Sequence, residues 1–233
     1  EPIRAAGGDP DSLITMNRLD PAYRAVYPGG DELHIRADMG DLREEIRTKI
    51  GEVDARGFDR FLAWLDELYE TEFDTFIDSN YTSPLDLLRS PGKAASLLRL
   101  GGLRALDPAV SRFFTDDRLT RIFSFQALYA GVAPAKARAV FAVITYMDTV
   151  RGVFYPEGGM HAVPRSMEQA LRDAGASIHL GVTVSRVLQG SNGAVAGVET
   201  DDGERLSDDA VVCTLDLPVA YDRLLPDVSA PRT

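Results

Sequence analysis

The chain has 233 residues, of which 45% are hydrophobic and 26% are charged, and this composition is globular and excludes a disordered chain. The formal net charge of −11 argues against a general nucleic-acid-binding function, because phosphate neutralisation needs a basic surface. Cys213 is the single cysteine, so an internal disulfide and a cysteine-rich metal site are both excluded.

No signal peptide and no run of about 18 apolar residues is present in the sequence. His34, His161 and His179 lack the spacing of metal ligands. The chain begins at Glu1 instead of a methionine, and we expect it to be a piece of a longer protein.

The first half of the sequence predicts a hairpin followed by helices. "AYRAVY" (22–27), the turn Pro-Gly-Gly-Asp and "ELHIRA" (32–37) predict two antiparallel strands. Asp41 with Glu44 predicts a capping box, and Gly51 a helix end. Apolar residues at steps of three and four predict a long amphipathic helix over 58–77. Helices are predicted to continue over 84–150, with first turns near Pro84, Pro91, Pro108 and Pro134.

The second half predicts a helix followed by short strands. The helix is expected over 160–174 and ends at Gly175. β-type runs follow as "SIHL", "TVSRVLQ", "AVAGVET", "ERLS" and "AVVCT", with hairpin turns at Asn192-Gly193 and Asp202-Gly203. The predicted fold class is therefore α+β, with a first domain over 1–150 and a second over 151–233.

Two stretches of the helical part have unusual charge. Leu87 to Leu106 is leucine-rich and carries Arg and Lys without an acid, a composition typical both of a membrane-surface segment and of a core-facing helix with a solvated basic face. The helix over 58–78 is rich in Asp and Glu, and we expect this acidic face to point to water.

Candidate acid–base groups lie near the end of the helical part. A buried acid beside an arginine can be tuned for chemistry, which makes Asp148, Arg151 and Glu157 candidates, although a surface salt bridge is the favoured interpretation. Cys213 lies in an apolar run and is expected to be a buried structural thiol. The sequence itself assigns no catalytic residue.

Gly158 and Gly159 form a turn before the helix that is expected from residue 160. Glycines allow backbone conformations that a Cβ blocks, and a helix start presents unpaired N–H groups to a flat or anionic cofactor. A plain tight turn is the alternative, and spacing alone favours it.

Several separated motifs resemble the bacterial phytoene desaturases, which are FAD-dependent carotenoid desaturases. The similar segments are "DPAYRAVYPGGDELHI", "FSFQALYAG", "GVFYPEGGM" and "VTVSRV", and they cover nearly all of the chain in the order of that family. The resemblance implies a flavin amine-oxidase-like fold, with a discontinuous Rossmann-type FAD domain and a substrate-side domain with a sheet and a helical block. The chain contains no G-x-G-x-x-G, so the implied FAD-binding portion is partial.

The resemblance also implies particular cofactor contacts. Gly158, Gly159 and Met160 match the family turn near the flavin, and Val184 matches the position whose backbone contacts adenine. At Glu157 the family commonly has Lys or Arg, which puts a positive contact there in doubt.

The implied activity is desaturation of a C40 carotene precursor of the phytoene type by hydride transfer to FAD. A carotenoid isomerase, a ketolase or another polyene oxidoreductase on the same scaffold is an alternative, as is a non-catalytic hydrophobic-ligand-binding fragment. The implied location is cytoplasmic and peripheral to the membrane, and this piece alone is expected to be inactive. Candidates for an apolar tunnel, each also a core candidate, are Phe113, Phe114, Phe123, Phe125, Leu128, Tyr129, Phe141, Ile144 and Tyr146.

Overall fold

The computed structural model describes residues 2–73, 91–191, 193–226 and 228. The chain divides into two compact units, Pro10–Ser166 and Glu1–Asp9 with Met167–Thr233. Helices and short antiparallel sheets make up these units, so the predicted mixture of α and β structure is confirmed. The predicted division between residues 150 and 151 stays a prediction.

The longest described element is the 21-residue helix Glu52–Glu72 of the larger unit, and every other described element has 12 residues or fewer. Two 3₁₀ segments (Phe125–Ala130 and Ala139–Phe141) and two π-helical turns (Met147–Arg151 and Ala220–Leu224) accompany the helices and strands. In chain order these are α1 (Pro2–Ala5), α2 (Pro10–Leu13), β1 (Met16–Arg18), β2 (Tyr23–Val26), β3 (Glu32–Ile35), α3 (Met39–Lys49), α4 (Glu52–Glu72), α5 (Pro91–Leu100), α6 (Leu106–Ser111), α7 (Asp117–Ile122), α8 (Ala142–Tyr146), β4 (Phe154–Pro156), α9 (Ala162–Asp173), β5 (Val184–Gln189), β6 (Val195–Thr200), β7 (Arg205–Leu206) and α10 (Leu217–Val219).

The predicted first hairpin is present. Strands β2 and β3 pair antiparallel, from Tyr23 opposite Ile35 to Val26 opposite Glu32. Gly29 and Gly30 close the turn with φ of 104° and 89°, a region that disfavours residues with a Cβ. The hairpin thereby presents buried residues of β3 to the core while β2 stays partly open.

Helix α3 begins earlier than the predicted capping box. The carboxylate of Asp38 accepts hydrogen bonds from the backbone N–H groups of Gly40 and Asp41, so Asp38 is the N-cap. Glu44, which the capping-box hypothesis required at the helix start, instead pairs with Arg47. The predicted capping box is therefore wrong, because an acid nearer the helix start satisfies the same free N–H groups.

Helix α4 carries the core of the larger unit. Its buried face repeats at helical spacing through Phe58, Phe61, Leu65 and Leu68, all completely buried. The ring of Phe61 packs against several aromatic side chains, with centroid separations of 5.1–5.9 Å to Trp64, Phe113, Phe114 and Phe123. The predicted helix over 58–77 is confirmed as far as residue 72, it starts six residues earlier, and residues 74–77 lie outside the described part.

The predictions for residues 84–150 are mixed. Pro91 opens α5 as expected, and Pro108 lies in the first turn of α6. Pro134 lies in a turn and opens no helix, and Pro84 lies outside the described residues.

A short strand pair joins the two ends of the larger unit. Strand β1 pairs antiparallel with β4, with Asn17 opposite Tyr155. The backbone N–H of Glu157 continues the pairing by donating to the carbonyl of Thr15 at 2.9 Å. The chain therefore enters the Gly158–Gly159 turn from a fixed strand.

The smaller unit contains the three-stranded antiparallel sheet β5-β6-β7, which confirms the predicted strands "TVSRVLQ", "AVAGVET" and, in part, "ERLS". The predicted strands "SIHL" and "AVVCT" are wrong, since residues 177–180 and 210–214 pair with no other described strand. An apolar run becomes a strand only where a partner strand satisfies its backbone groups. Cys213 is accordingly exposed, which corrects its predicted burial.

Within the described residues, no helix has both the length and the apolar character that crossing a membrane requires.

Candidate functional site

The larger unit contains a pocket of about 600 Å³ beside the first hairpin, a volume within the range of small-molecule sites. Strand β2, helix α7, the 3₁₀ segment after it and the π-helical turn 147–151 each contribute to its wall. The lining residues are Ala22, Tyr23, Arg24, Ala25, Tyr27, Arg121, Ile122, Phe125, Tyr129, Asp148 and Val153.

Aromatic rings form much of this wall. The ring of Phe125 meets Tyr23 edge-on at a centroid separation of 5.5 Å and Tyr129 at 5.8 Å. Such edge-to-face contacts hold rings in a defined orientation. The pocket therefore offers a rigid, largely apolar surface to a ligand.

A buried amide fixes the tyrosine at the back of the pocket. Gln126 is completely buried, and its Nε2 donates to the hydroxyl of Tyr23 at 3.0 Å, while its Oε1 accepts from the hydroxyl of Thr145 at 3.1 Å. Burial raises the pKa of Tyr23, so its hydroxyl stays neutral. Gln126 lies within the "FSFQALYAG" motif but was not among the predicted site residues.

A tyrosine–aspartate pair lies in the wall of the pocket. The hydroxyl of Tyr129 donates to Oδ2 of Asp148 at 3.0 Å. Burial raises the pKa of Asp148, and the hydrogen bond from Tyr129 lowers it in part. Burial and the neighbouring carboxylate raise the pKa of Tyr129 to about 12.

This pair corrects the favoured interpretation of Asp148 as part of a surface salt bridge. Among the described residues, Asp148 contacts Tyr129, whereas the guanidinium of Arg151 lies over the ring of Tyr69 at 5.9 Å. The π-helical turn directs the two side chains to different neighbours. Asp148 is half-buried in the pocket wall and is available to a ligand there.

The tunnel candidates do not share one location. Phe125 and Tyr129 line the pocket, and Tyr146 borders a smaller cavity of about 250 Å³ together with Asp66. The fully or nearly buried rings of Phe114 and Phe123 belong to the core. Aromatic residue type alone cannot distinguish these two locations, since both need apolar side chains.

The predicted turn at Gly158, Gly159 and Met160 follows β4 in the larger unit. Both glycines have positive φ, 78° and 90°, so each position favours glycine for its backbone conformation. Among the described atoms, a Cβ at Gly158 would meet nothing within 4 Å, and one at Gly159 only the hydroxyl of Tyr155 at 3.7 Å. The turn therefore presents open backbone, and Met160 beside it is 60% exposed.

Val184, the fourth predicted site residue, begins strand β5 in the smaller unit and pairs with Thr200. Its side chain is 37% exposed. Its role in binding stays a prediction, as do those of Gly158, Gly159 and Met160.

Glu72 is a buried acid, although the acids of its helix were predicted to face water. Its side chain is completely buried, and within the described part of the chain neither carboxylate oxygen has a hydrogen-bond partner. Burial raises its pKa to about 8. The helical spacing could have predicted this burial, because Glu72 lies four residues after Leu68 and seven after Leu65 on the buried face of α4. The exposed acids Asp59, Asp66, Glu67 and Glu70 confirm the predicted solvated face.

The chain matches the family model described as flavin containing amine oxidoreductase over residues 9–233. The chain belongs to this family. Membership confirms the prediction of FAD as the cofactor. The open backbone at Gly158 and Gly159 fits one face of a flat ring, whereas the G-x-G-x-x-G loop that holds the phosphates in Rossmann-type domains is absent from this sequence.

Curated relatives within the family carry phytoene-related names. The chain is 48% identical over 212 residues to the phytoene dehydrogenase of Streptomyces griseus. This alignment covers 91% of this chain and 41% of the relative. It is 32% identical over 228 residues to the zeta-carotene-forming phytoene desaturase of Myxococcus xanthus, with 97% and 43% covered. It is 28% identical over 220 residues to the lycopene-forming phytoene desaturase of Pseudescherichia vulneris, with 94% and 44% covered.

These matches confirm the resemblance to bacterial phytoene desaturases. The chain spans less than half the length of the curated relatives that it matches.

Proposed function

We propose that the whole protein is an FAD-dependent desaturase that introduces C=C bonds into a C40 carotene precursor of the phytoene type. The observation that carries this proposal is the 48% identity to a phytoene dehydrogenase over 91% of the chain. The aromatic-walled pocket supports it, because a hydrocarbon substrate needs an apolar site with few polar groups.

The same proposal gives each of the two units a role. The larger unit, with the pocket, belongs to the substrate-side domain, and the smaller unit belongs to a returning segment of a Rossmann-type FAD domain. Bound FAD supplies a hydride acceptor. The backbone at Gly158, Gly159 and Met160 borders the flavin ring, and the backbone at Val184 contacts the adenine. Phe125, Tyr23 and Tyr129 orient the polyene and keep water away from it.

The location that we propose is the cytoplasmic surface of a membrane, from which a C40 polyene is taken. The end of α5 and the loop after it support this part, since Leu98 and Leu103 are 63% and 54% exposed beside the exposed Arg99 and Arg104. The buried Leu97 and Leu100 anchor the same segment to the core. Residues 87–90 of the predicted surface stretch lie outside the described part.

Product analysis tests the proposed reaction. The full-length protein is purified with bound FAD, supplied with phytoene in liposomes, and its products are separated by chromatography and identified by their absorption spectra. A desaturated product with a longer conjugated chain supports the proposal. An isomerised or oxygenated product with the original number of C=C bonds would assign an isomerase or ketolase on the same scaffold.

A further inference from the structure

The Tyr129–Asp148 pair is placed where a polyene bound in the pocket would meet it. We infer that Asp148 is the proton acceptor of the desaturation, and that Tyr129 is the residue that positions it. This inference rests on the proposed function and deepens it by assigning a group that takes the proton.

The composition of the pocket singles out Asp148. Its described lining contains one acid, Asp148, together with Arg24 and Arg121, and the remaining lining residues are apolar or aromatic. The hydroxyl of Tyr129 donates a hydrogen bond to Oδ2 of Asp148 at 3.0 Å. No described side chain donates to Oδ1, and this oxygen is the one available to a substrate C–H group.

Asp148 and the glycine turn lie on one continuous segment. The π-helical turn with Asp148 ends at Arg151, Val153 lines the pocket, and β4 leads directly into Gly158 and Gly159. The carbonyl of Val153 accepts from the N–H of Leu19 at 2.9 Å, and β1 pairs with β4 over its whole length. Val153 and Gly158 are five residues apart along this segment, so their Cα atoms are separated by about 17 Å at most. For Asp148 to accept the proton, the reacting C–C bond must lie between its carboxylate and the flavin ring, because adjacent carbons of that bond lose the hydride and the proton.

The reaction needs two acceptors. Bound oxidised flavin would accept a hydride, with its C–H electron pair, from one substrate carbon, and this two-electron reduction would supply the oxidant. The adjacent carbon loses a proton to the carboxylate of Asp148, and its C–H electron pair forms the new C=C bond. The protonated Asp148 then returns its proton to water. Both electrons and both hydrogens are thereby accounted for.

The surroundings suit Asp148 to this role. Burial raises its pKa, which strengthens the carboxylate as a base, and the Tyr129 hydroxyl keeps that pKa from rising further. Other titratable or charged groups at the pocket are Tyr23 and Tyr27, both with pKa raised by burial and therefore neutral, and Arg24 and Arg121. Arg24 pairs with Glu32 and Arg121 with Asp117, so neighbouring acids offset both arginine charges.

The proposed position of Asp148 beside the bound polyene can be tested by equilibrium binding. A conjugated polyene is titrated into the full-length protein from which FAD has been removed. The polyene removes water from Asp148 and thereby disfavours its charged form, so affinity should fall as the pH rises through the pKa of Asp148. Asp148→Asn should bind the polyene within about threefold of the wild-type protein at low pH and lose this pH dependence. Unchanged pH dependence in Asp148→Asn would overturn the placement.

Flavin reduction in a single turnover of the full-length holoenzyme tests the proton transfer. Asp148→Asn should slow reduction by about 10²- to 10⁴-fold, the usual contribution of a general base. The wild-type rate should rise with pH as Asp148 ionises. Tyr129→Phe removes a donor to the carboxylate, raises its pKa, and should move this rise to higher pH, an effect that a merely structural tyrosine would not produce.

A second tyrosine–aspartate pair provides a matched control. The hydroxyl of Tyr146 donates to Asp66 at 3.0 Å, outside the main pocket. Asp66→Asn should leave the flavin-reduction rate within about twofold of wild type, since it removes the same charge from a comparable pair. Equal losses in Asp66→Asn and Asp148→Asn, or a wild-type rate in Asp148→Asn, would overturn the inference while leaving the desaturase intact. Wild-type holoenzyme that neither binds nor oxidises a C40 polyene would overturn the proposed function, and the inference with it.

Discussion

Glu72 places a carboxyl group where helix α4 otherwise buries leucine and phenylalanine. The group is completely buried and, among the described residues, has no hydrogen-bond partner, while burial raises its pKa to about 8. Because the unfolded chain has an ordinary carboxyl pKa near 4.5, the folded protein holds an extra proton between these two values. Stability should therefore fall as the pH rises from about 4.5 to about 8 and level off above it.

Glu72→Gln should remove this loss of stability. The amide has the same shape without the charge, so the variant should match wild type near pH 5 and be more stable at pH 8.5 by on the order of 1–3 kcal/mol. Thermal unfolding of the full-length protein at both pH values measures the difference. Glu70→Gln, an exposed neighbour on the same helix, is the control and should show no pH-dependent gain. An equal gain in both variants would show that net charge, and not burial, is responsible.

At the scale of single elements, helix α4 packs directly against backbone at Gly57. A Cβ at this position would lie 2.1 Å from the carbonyl oxygen of Phe113, closer than any real contact. Gly57→Ala should therefore force α4 away from the segment around Phe113 and destabilise the protein by about 1–3 kcal/mol.

The melting temperature of the full-length variant measures this effect. Gly92→Ala in α5 is the matched control, since its Cβ meets no described atom within 4 Å and its φ is ordinary. This control should be neutral or stabilise the protein by up to about 1 kcal/mol. A fall in melting temperature for Gly92→Ala as large as for Gly57→Ala would contradict the steric explanation.

The end of helix α5 and the loop after it are the segment proposed to contact the membrane. Burying the exposed Leu98 and Leu103 in lipid would contribute about 1.5–3 kcal/mol each at most. Leu98→Ser with Leu103→Ser should therefore reduce binding of the full-length protein to anionic vesicles by at least about tenfold in a flotation assay. Val26→Ser with Val53→Ser, a change of two other exposed apolar residues, should leave vesicle binding intact. Unchanged flotation of the leucine variant would exclude this segment as the anchor.

For the molecule as a whole, sequence patterns predicted the elements whose partners are close in the chain. The β2–β3 and β5–β6 hairpins and the buried face of α4 follow from local periodicity and glycine turns. The strands over 177–180 and 210–214 were predicted wrongly, because the pattern cannot supply the partner that a strand requires. The pocket was predictable only in part. Phe125, Tyr129 and Asp148 were candidates, but their convergence with strand β2 depends on packing between segments far apart in sequence.

The absence of a phosphate-binding loop from this sequence predicts that the 233-residue chain and the full-length protein differ in FAD binding. The proposed flavin contact is at the turn of Gly158 and Gly159, yet the sequence has no G-x-G-x-x-G to hold the pyrophosphate. The purified 233-residue chain should therefore show no stoichiometric flavin absorbance after incubation with FAD and gel filtration, whereas the full-length protein should retain it. Circular dichroism of the purified chain, with the helix content of α3 and α4, controls for folding. Stoichiometric FAD on the folded chain would show that residues outside the Rossmann pattern hold the phosphates, and would favour a self-contained binding module over a divided site.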